Sequence, residues 1–220
     1  MKVLQKNKIK SFFKCLFLLL VFLSLYIFMC AASYSNAVSE DISDSVFRLH
    51  VIAASDSKED QNLKYIVRDN LLEYMNQISK DTTSKEEAMT IAVAHEENFY
   101  NIAKQTIEEQ GYDYDIKINI GNFNFPTKNY GDISLPAGNY DALRVEIGPA
   151  QGQNWWCVMF PPLCFVAVSS GVVDESSKEL MKENLTEEEY SIISDDSPTI
   201  SFKFKIIEFL QNKELFTASK

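Results

Sequence analysis

An α+β fold, with a mixed or antiparallel sheet and two long helices packed on one face, is what this 220-residue sequence predicts. Three observations carry that expectation. No Gly or Pro occurs before residue 111, whereas all seven Gly and all six Pro lie at or beyond it. Long regular elements should therefore come first, and short strands joined by tight turns second. Residues 46–53 alternate as a strand does, with Phe47, Leu49 and Val51 on one face. Leu63, Val67, Leu71, Tyr74 and Ile78 step by four, four, three and four, which draws one apolar stripe along a helix.

Taken in order, the chain opens with five lysines (Lys2, Lys6, Lys8, Lys10 and Lys14) and an apolar run from Cys15 to Ala32, and no acidic residue appears until Glu40. That is the basic start and apolar centre of an export signal. Its length is close to the ~20 residues that span a bilayer, so residues 1–37 read as a signal peptide or an uncleaved anchor. Cleavage could follow Ala32 or Ala37. After the first strand, Ser55-Asp56-Ser57 supplies capping chemistry for a helix over 58–79. Ser84 and Glu87 form a capping box for a second helix over 85–110, with Gly111 as its stop. Strands are expected over 113–121, 140–148 and 154–160, with turns at Pro126, Gly131, Pro136-Ala137-Gly138 and Pro149 to Gly152. The division that results is a leader over 1–37, a domain over 46–175, and an acidic tail over 176–220. The state of the tail's apolar run from Phe202 to Leu210 is left open.

Charge narrows the function classes. Of twenty-one basic residues five lie in the leader, so sixteen remain against thirty-one acidic ones, a net charge of −15 on the body. Such a body repels phosphates and anionic head groups; no nucleic-acid partner is expected, and membrane contact only through the leader. Behind the leader, Cys157 and Cys164 are the remaining cysteines. Outside the membrane they could close a disulfide, if the chain reverses about Phe160-Pro161. Two buried thiols are the alternative. Six intervening residues and no nearby His argue against a zinc site, and no cofactor or metal is expected.

Catalytic signatures are sparse. There is no nucleophile elbow and no phosphate-binding Gly-rich loop, and His95-Glu96-Glu97-Asn98-Phe99 lacks the second His of a metalloprotease helix. Its apolar neighbours make His95 a packed histidine. Arg48 and His50 share the polar face of the first strand, just upstream of Asp56, Asp60, Arg68 and Asp69. A strand followed by an acidic turn is where open sheets place functional groups, although Asp60, Lys64 and Arg68 also describe an ordinary ion-pair row. Ser55, Ser57 and Cys157 are available nucleophiles, but nothing in the sequence activates them. Trp155 and Trp156 are adjacent, so they occupy opposite faces of a strand; each suits an interface anchor or corner packing. The partner-binding candidates are thus Arg48, His50, Asp56, Asp60, Arg68, Asp69, Trp155 and Trp156.

Three ordered motifs carry a resemblance. Phe47-Arg48-Leu49-His50-Val51-Ile52-Ala53-Ala54-Ser55-Asp56-Ser57-Lys58-Glu59-Asp60-Gln61, with Leu63-Lys64 and Val67-Arg68-Asp69, comes first. Phe125-Pro126, Tyr130-Gly131, Leu135-Pro136-Ala137-Gly138 and Ala142-Leu143-Arg144-Val145 follow. Asn154-Trp155-Trp156-Cys157-Val158 with Phe160-Pro161-Pro162-Leu163-Cys164-Phe165 closes the set. Together they resemble the stage II sporulation protein R family over 46–166. Ala54 stands where that family suggests Asn, and Ala150 where it suggests Gly. The resemblance implies an intercellular signal made in the forespore and exported between the two membranes. There it would trigger the extracytoplasmic part of a membrane protease, stage II sporulation protein GA, which processes pro-sigma factor E in the mother cell. The alternative from the residues alone is a secreted hydrolase using His50 and its neighbouring acids on a cell-wall or peptide substrate.

Overall fold

The computed structural model describes residues 2–163 and 173–194, so Cys164 and the run from Phe202 to Leu210 lie outside the described residues. The elements run α1 (Lys2–Asp44), β1 (Phe47–Ile52), α2 (Lys58–Ile78), α3 (Lys85–Ala94), α4 (Glu96–Glu109), β2 (Ile116–Phe125), β3 (Lys128–Tyr130), β4 (Ile133–Leu135), β5 (Gly138–Ile147), β6 (Asn154–Phe160), α5 (Glu175–Asn184) and α6 (Glu187–Ser194). The chain divides into two units, 1–38 and 39–220. In the first, Phe12–Cys30 is a 19-residue helical segment of mean hydropathy 2.4 with no residue buried. It is long and apolar enough to cross a bilayer.

The second unit is built on a four-stranded sheet of order β2-β5-β1-β6. β1 runs parallel to β5 and antiparallel to β6, and β2 is antiparallel to β5, so the sheet is mixed. Phe47, Leu49 and Val51 of β1 join Leu143, Val145 and Ile147 of β5 on one face. They pack on the α2 stripe (Leu63, Val67, Leu71, Met75) and on Phe99, Ala103 and Ile107 of α4. That face and those helices make the core.

Local chemistry sets the boundaries. Ser57 Oγ accepts the Asp60 N–H at 3.1 Å and starts α2. Ser84 Oγ accepts the Glu87 N–H at 3.3 Å, while the Glu87 carboxylate takes the Thr83 N–H at 3.2 Å. At the other end of α4, Gly111 adopts φ 82°. Its N–H bonds Glu108 O, and the Tyr112 N–H bonds Ile107 O, the paired arrangement of a left-handed helix stop. The second helix is not continuous. It breaks at His95 (φ −110°, ψ 16°), whose half-buried ring meets the Tyr74 hydroxyl of α2 at 2.6 Å.

Two further differences from the sequence-based expectation matter. The start of the acidic tail is folded: Lys178 of α5 pairs with Asp132 at 2.7 Å, and Ser177 Oγ donates to Pro162 O at 3.1 Å. More important, β1 has a strand on each side and all six of its residues are buried. Its polar alternation therefore does not face solvent.

Candidate functional site

The candidate residues separate into three groups around β1 and the turn that follows it. The first is inside the second face of the sheet. Arg48 is 0% exposed and its guanidinium carbon lies 4.1 Å from the Phe125 ring centre and 4.5 Å from that of Tyr140. Its Nη2 donates to the Tyr130 hydroxyl at 2.6 Å, which in turn donates to Trp156 O at 3.3 Å. Burial raises the Tyr130 phenol above its ordinary value, with the Arg48 charge working against that shift. Arg48 thus sits in an aromatic box, its charge met by ring faces rather than by a carboxylate. Its Nε and Nη1 have no hydrogen-bond partner.

His50 lies two residues on, stacked on Trp156 with ring centres 3.6 Å apart, and its Nε2 meets Asn154 Oδ1 at 2.7 Å. Burial lowers its pKa from 6.5 to about 4; the Asn154 hydrogen bond opposes that, and the charges of Arg144 and Arg48 add to it. His50 is therefore neutral at physiological pH. The unfolded residue takes up a proton below about 6.5 that the folded one refuses until about 4, so stability should fall as pH drops through this window. At roughly 1.4 kcal/mol per pH unit the loss is bounded at about 3 kcal/mol. Thermal melts between pH 7 and 4 should show a steeper decline for the natural chain than for His50→Gln; parallel declines would contradict the assignment.

The second group is the turn between β1 and α2. Asp60, 6% exposed, accepts from Ser55 Oγ at 2.5 Å and from the Tyr114 hydroxyl at 3.1 Å. Asp56 accepts the Gln153 N–H at 2.8 Å, and Lys64, also buried, donates to Gln61 Oε1 at 2.5 Å and to Gln153 O at 3.1 Å. Burial lowers the Lys64 pKa, helped by the Arg68 charge and opposed by Asp56. The Gln151 and Gly152 N–H groups bond Ala54 O and Ala53 O. These bonds staple the β1–α2 turn to the β5–β6 turn. Within that second turn Ala150 holds φ 51°, a region that costs a residue with a Cβ about 1–2 kcal/mol. This gives a backbone reason for the Gly that the resemblance suggested there. Ala150→Gly should raise stability by about 0.5–1 kcal/mol in denaturant titration, after subtracting the entropy a Gly adds to the unfolded chain.

The third group is on the helical side. Arg68 lies 4.4 Å over Trp155 and 4.9 Å over Tyr65, which meet edge to face at 5.3 Å, and Arg68 also pairs with Asp69 at 2.7 Å. The two tryptophans do occupy opposite faces of β6, one with Arg68 and one with His50. Asp56, Tyr65 and Asp69 are exposed, Arg68 and both tryptophans half-buried. The structure thus brings Arg48, His50 and Trp156 together, and separately Arg68, Asp69 and Trp155, but it does not assemble all eight into one surface.

Sequence reasoning missed Phe125, Tyr130, Tyr140 and Asn154, which complete the box, and Gln61, Tyr114 and Gln153, which complete the staple; Lys64, read as part of an ion-pair row, bonds Gln61 and Gln153 instead. The alternating aromatics Phe123 and Phe125 were the available hint that a second sheet face is covered. Cys157 is disulfide-bonded, and Cys164, its expected partner, lies outside the described residues. No group of three or more His, Cys, Asp or Glu able to hold a metal occurs among the described residues. Ser55 donates to a carboxylate and His50 bonds an amide, so these two do not form a nucleophile–base pair.

What these features define is a small α+β domain behind an apolar helix, stabilised by a buried cation box and a polar staple. The family model for stage II sporulation protein R matches residues 43–170. The chain is also 41% identical over 143 residues to stage II sporulation protein R of Bacillus subtilis (strain 168), an alignment covering 64% of each chain. This chain belongs to the stage II sporulation protein R family. No solved structure matches it.

Proposed function

We propose that this chain is an exported signal of endospore formation, made in the forespore and carried across its membrane by the segment around Phe12–Cys30. There it binds the extracytoplasmic part of stage II sporulation protein GA and shifts that protease to the state that processes pro-sigma factor E. The observation that carries this reading is the family match over 43–170 directly behind an apolar helix. A net charge of −15 behind the leader suits a soluble signal that avoids nucleic acid and anionic lipid. The polar groups nearest a catalytic pattern are committed to hydrogen bonds within the body, which favours binding over chemistry.

Activation by binding requires a higher affinity for the active than for the inactive protease. The accessible contact residues are then Arg68, Asp69, Trp155 and Asp56, while Arg48, His50 and Asp60 hold the surface from within. Arg and Trp are the residue types that most often dominate interface energy. A forespore-expressed chain starting at Val38 should stay in the cytoplasm and leave pro-sigma factor E unprocessed, whereas the natural chain fractionates outside the cytoplasmic membrane. Normal processing with the cytoplasmic form would overturn the proposal.

A further inference from the structure

The outer edge of β2 lies apart from the contact residues proposed for the protease. β2 is the terminal strand of the sheet and spans ten residues. One edge pairs with β5 along its whole length, and the other has no strand partner among the described residues. Long free edges are normally blunted by charge, proline or a covering segment, because unpaired N–H and C=O groups template another strand. On β2 the exposed positions are Lys117, Asn119, Asn122 and Asn124, a single charge and no proline.

Beside the 116–119 end of this edge the end of α3 and the first turn of α4 leave an open groove of about 660 Å³. Val93 and Tyr100 line it together with Glu96, Glu97, Lys117 and Ile118. Val93 is 51% and Tyr100 41% exposed. Among the described residues of the body, Tyr65 is the other exposed large apolar side chain, and Arg68 and Lys64 lie over its ring. Val93 and Tyr100 have no such cover. An unpaired strand edge beside two uncovered apolar side chains is the arrangement that accepts an added strand, whose backbone pairs with the edge and whose alternate side chains enter the groove.

Charge selects the occupant. Glu96 and Glu97 stand in the first turn of α4 and Lys117 is the single basic group in the lining. We infer that this edge binds an extended segment of a partner protein in which apolar residues alternate with Lys or Arg. A second copy of this chain is disfavoured, because edge-to-edge pairing would bring two such acidic grooves, on bodies of net −15, against each other. The inference does not require that partner to be the protease.

The test uses the full chain in detergent micelles, a fluorescein-labelled ten-residue peptide of alternating Val and Lys, and its Val/Glu counterpart. Anisotropy should show saturable binding of the Val/Lys peptide, at least tenfold weaker binding of the Val/Glu peptide, and at least a tenfold loss for the Glu96→Lys/Glu97→Lys chain. Because basic peptides adhere to acidic proteins generally, hydrogen exchange supplies the location: the Val/Lys peptide should protect amides within 116–125. Val93→Ser, which removes apolar surface at an exposed position without changing charge, should also weaken binding without lowering the melting temperature. Protection confined to other elements, binding unchanged in both variants, or protection of β2 by concentration-dependent dimerisation without peptide would each overturn the inference.

Discussion

Gly152→Ala is expected to destabilise the body by about 3 kcal/mol or more, at the top of the range for overpacking. The reason is space, not backbone angle. A Cβ built on Gly152 would lie 2.2 Å from the Ser55 carbonyl oxygen and 2.9 Å from the Ala53 Cβ. The first obstacle is backbone, so no rotamer change relieves it. Relief would require separating the β5–β6 turn from the β1–α2 turn. That movement breaks the Gly152 N–H bond to Ala53 O and strains those from Gln153 to Asp56 and from Lys64 to Gln153. Urea titration of the natural chain and the variant checks the magnitude. A change below about 1 kcal/mol would mean that the two turns are not rigidly joined.

Arg48 gives the second large effect. On sequence alone, charge reversal at Arg48 tests a surface; in the structure it tests the interior. A carboxylate placed there would be fully buried and face the electron-rich rings of Phe125 and Tyr140. Arg48→Glu should therefore yield no folded protein, since an uncompensated buried charge costs several kcal/mol. Arg48→Met keeps length and apolar stem and removes both the charge and the two unpartnered nitrogens. It should fold with a stability within about 1–2 kcal/mol of the natural chain, because apolar replacement of a buried charge is often neutral or better. Circular dichroism melts of both variants decide this. A well-folded Arg48→Glu would show that the box opens to solvent.

The contrast between those two residues shows where the sequence was legible. Caps and stops are local, and Ser57, Ser84 with Glu87, and Gly111 sit where their spacing placed them. Opposite faces for Trp155 and Trp156 follow from the strand period alone. The polarity of β1 was read correctly, but its meaning was not. Arg48 and His50 do share a face, yet whether that face meets water depends on Phe125, Tyr130, Tyr140 and Trp156, which lie far along the chain. β3 and β4 have three residues each, too few for any periodicity to show. The break at His95 likewise depends on a contact with Tyr74 from a different helix. Of the candidate site, the residue types were legible and the division into an inner and an outer set was not.

Reconstitution tests the central claim most directly. Purified protein spanning 39–220, added to the outer face of vesicles that hold the protease and pro-sigma factor E, should produce processed sigma factor. Processing should depend on the protease, saturate with dose, and survive His50→Gln, because on the proposed function His50 supports the surface and transfers no proton. Loss of a hydrogen bond costs only ~0.5–1.5 kcal/mol, whereas loss of a general base costs about 10²–10⁴-fold in rate. No processing at any dose, processing without the protease, or a folded His50→Gln chain that is inactive at saturating dose would contradict the account.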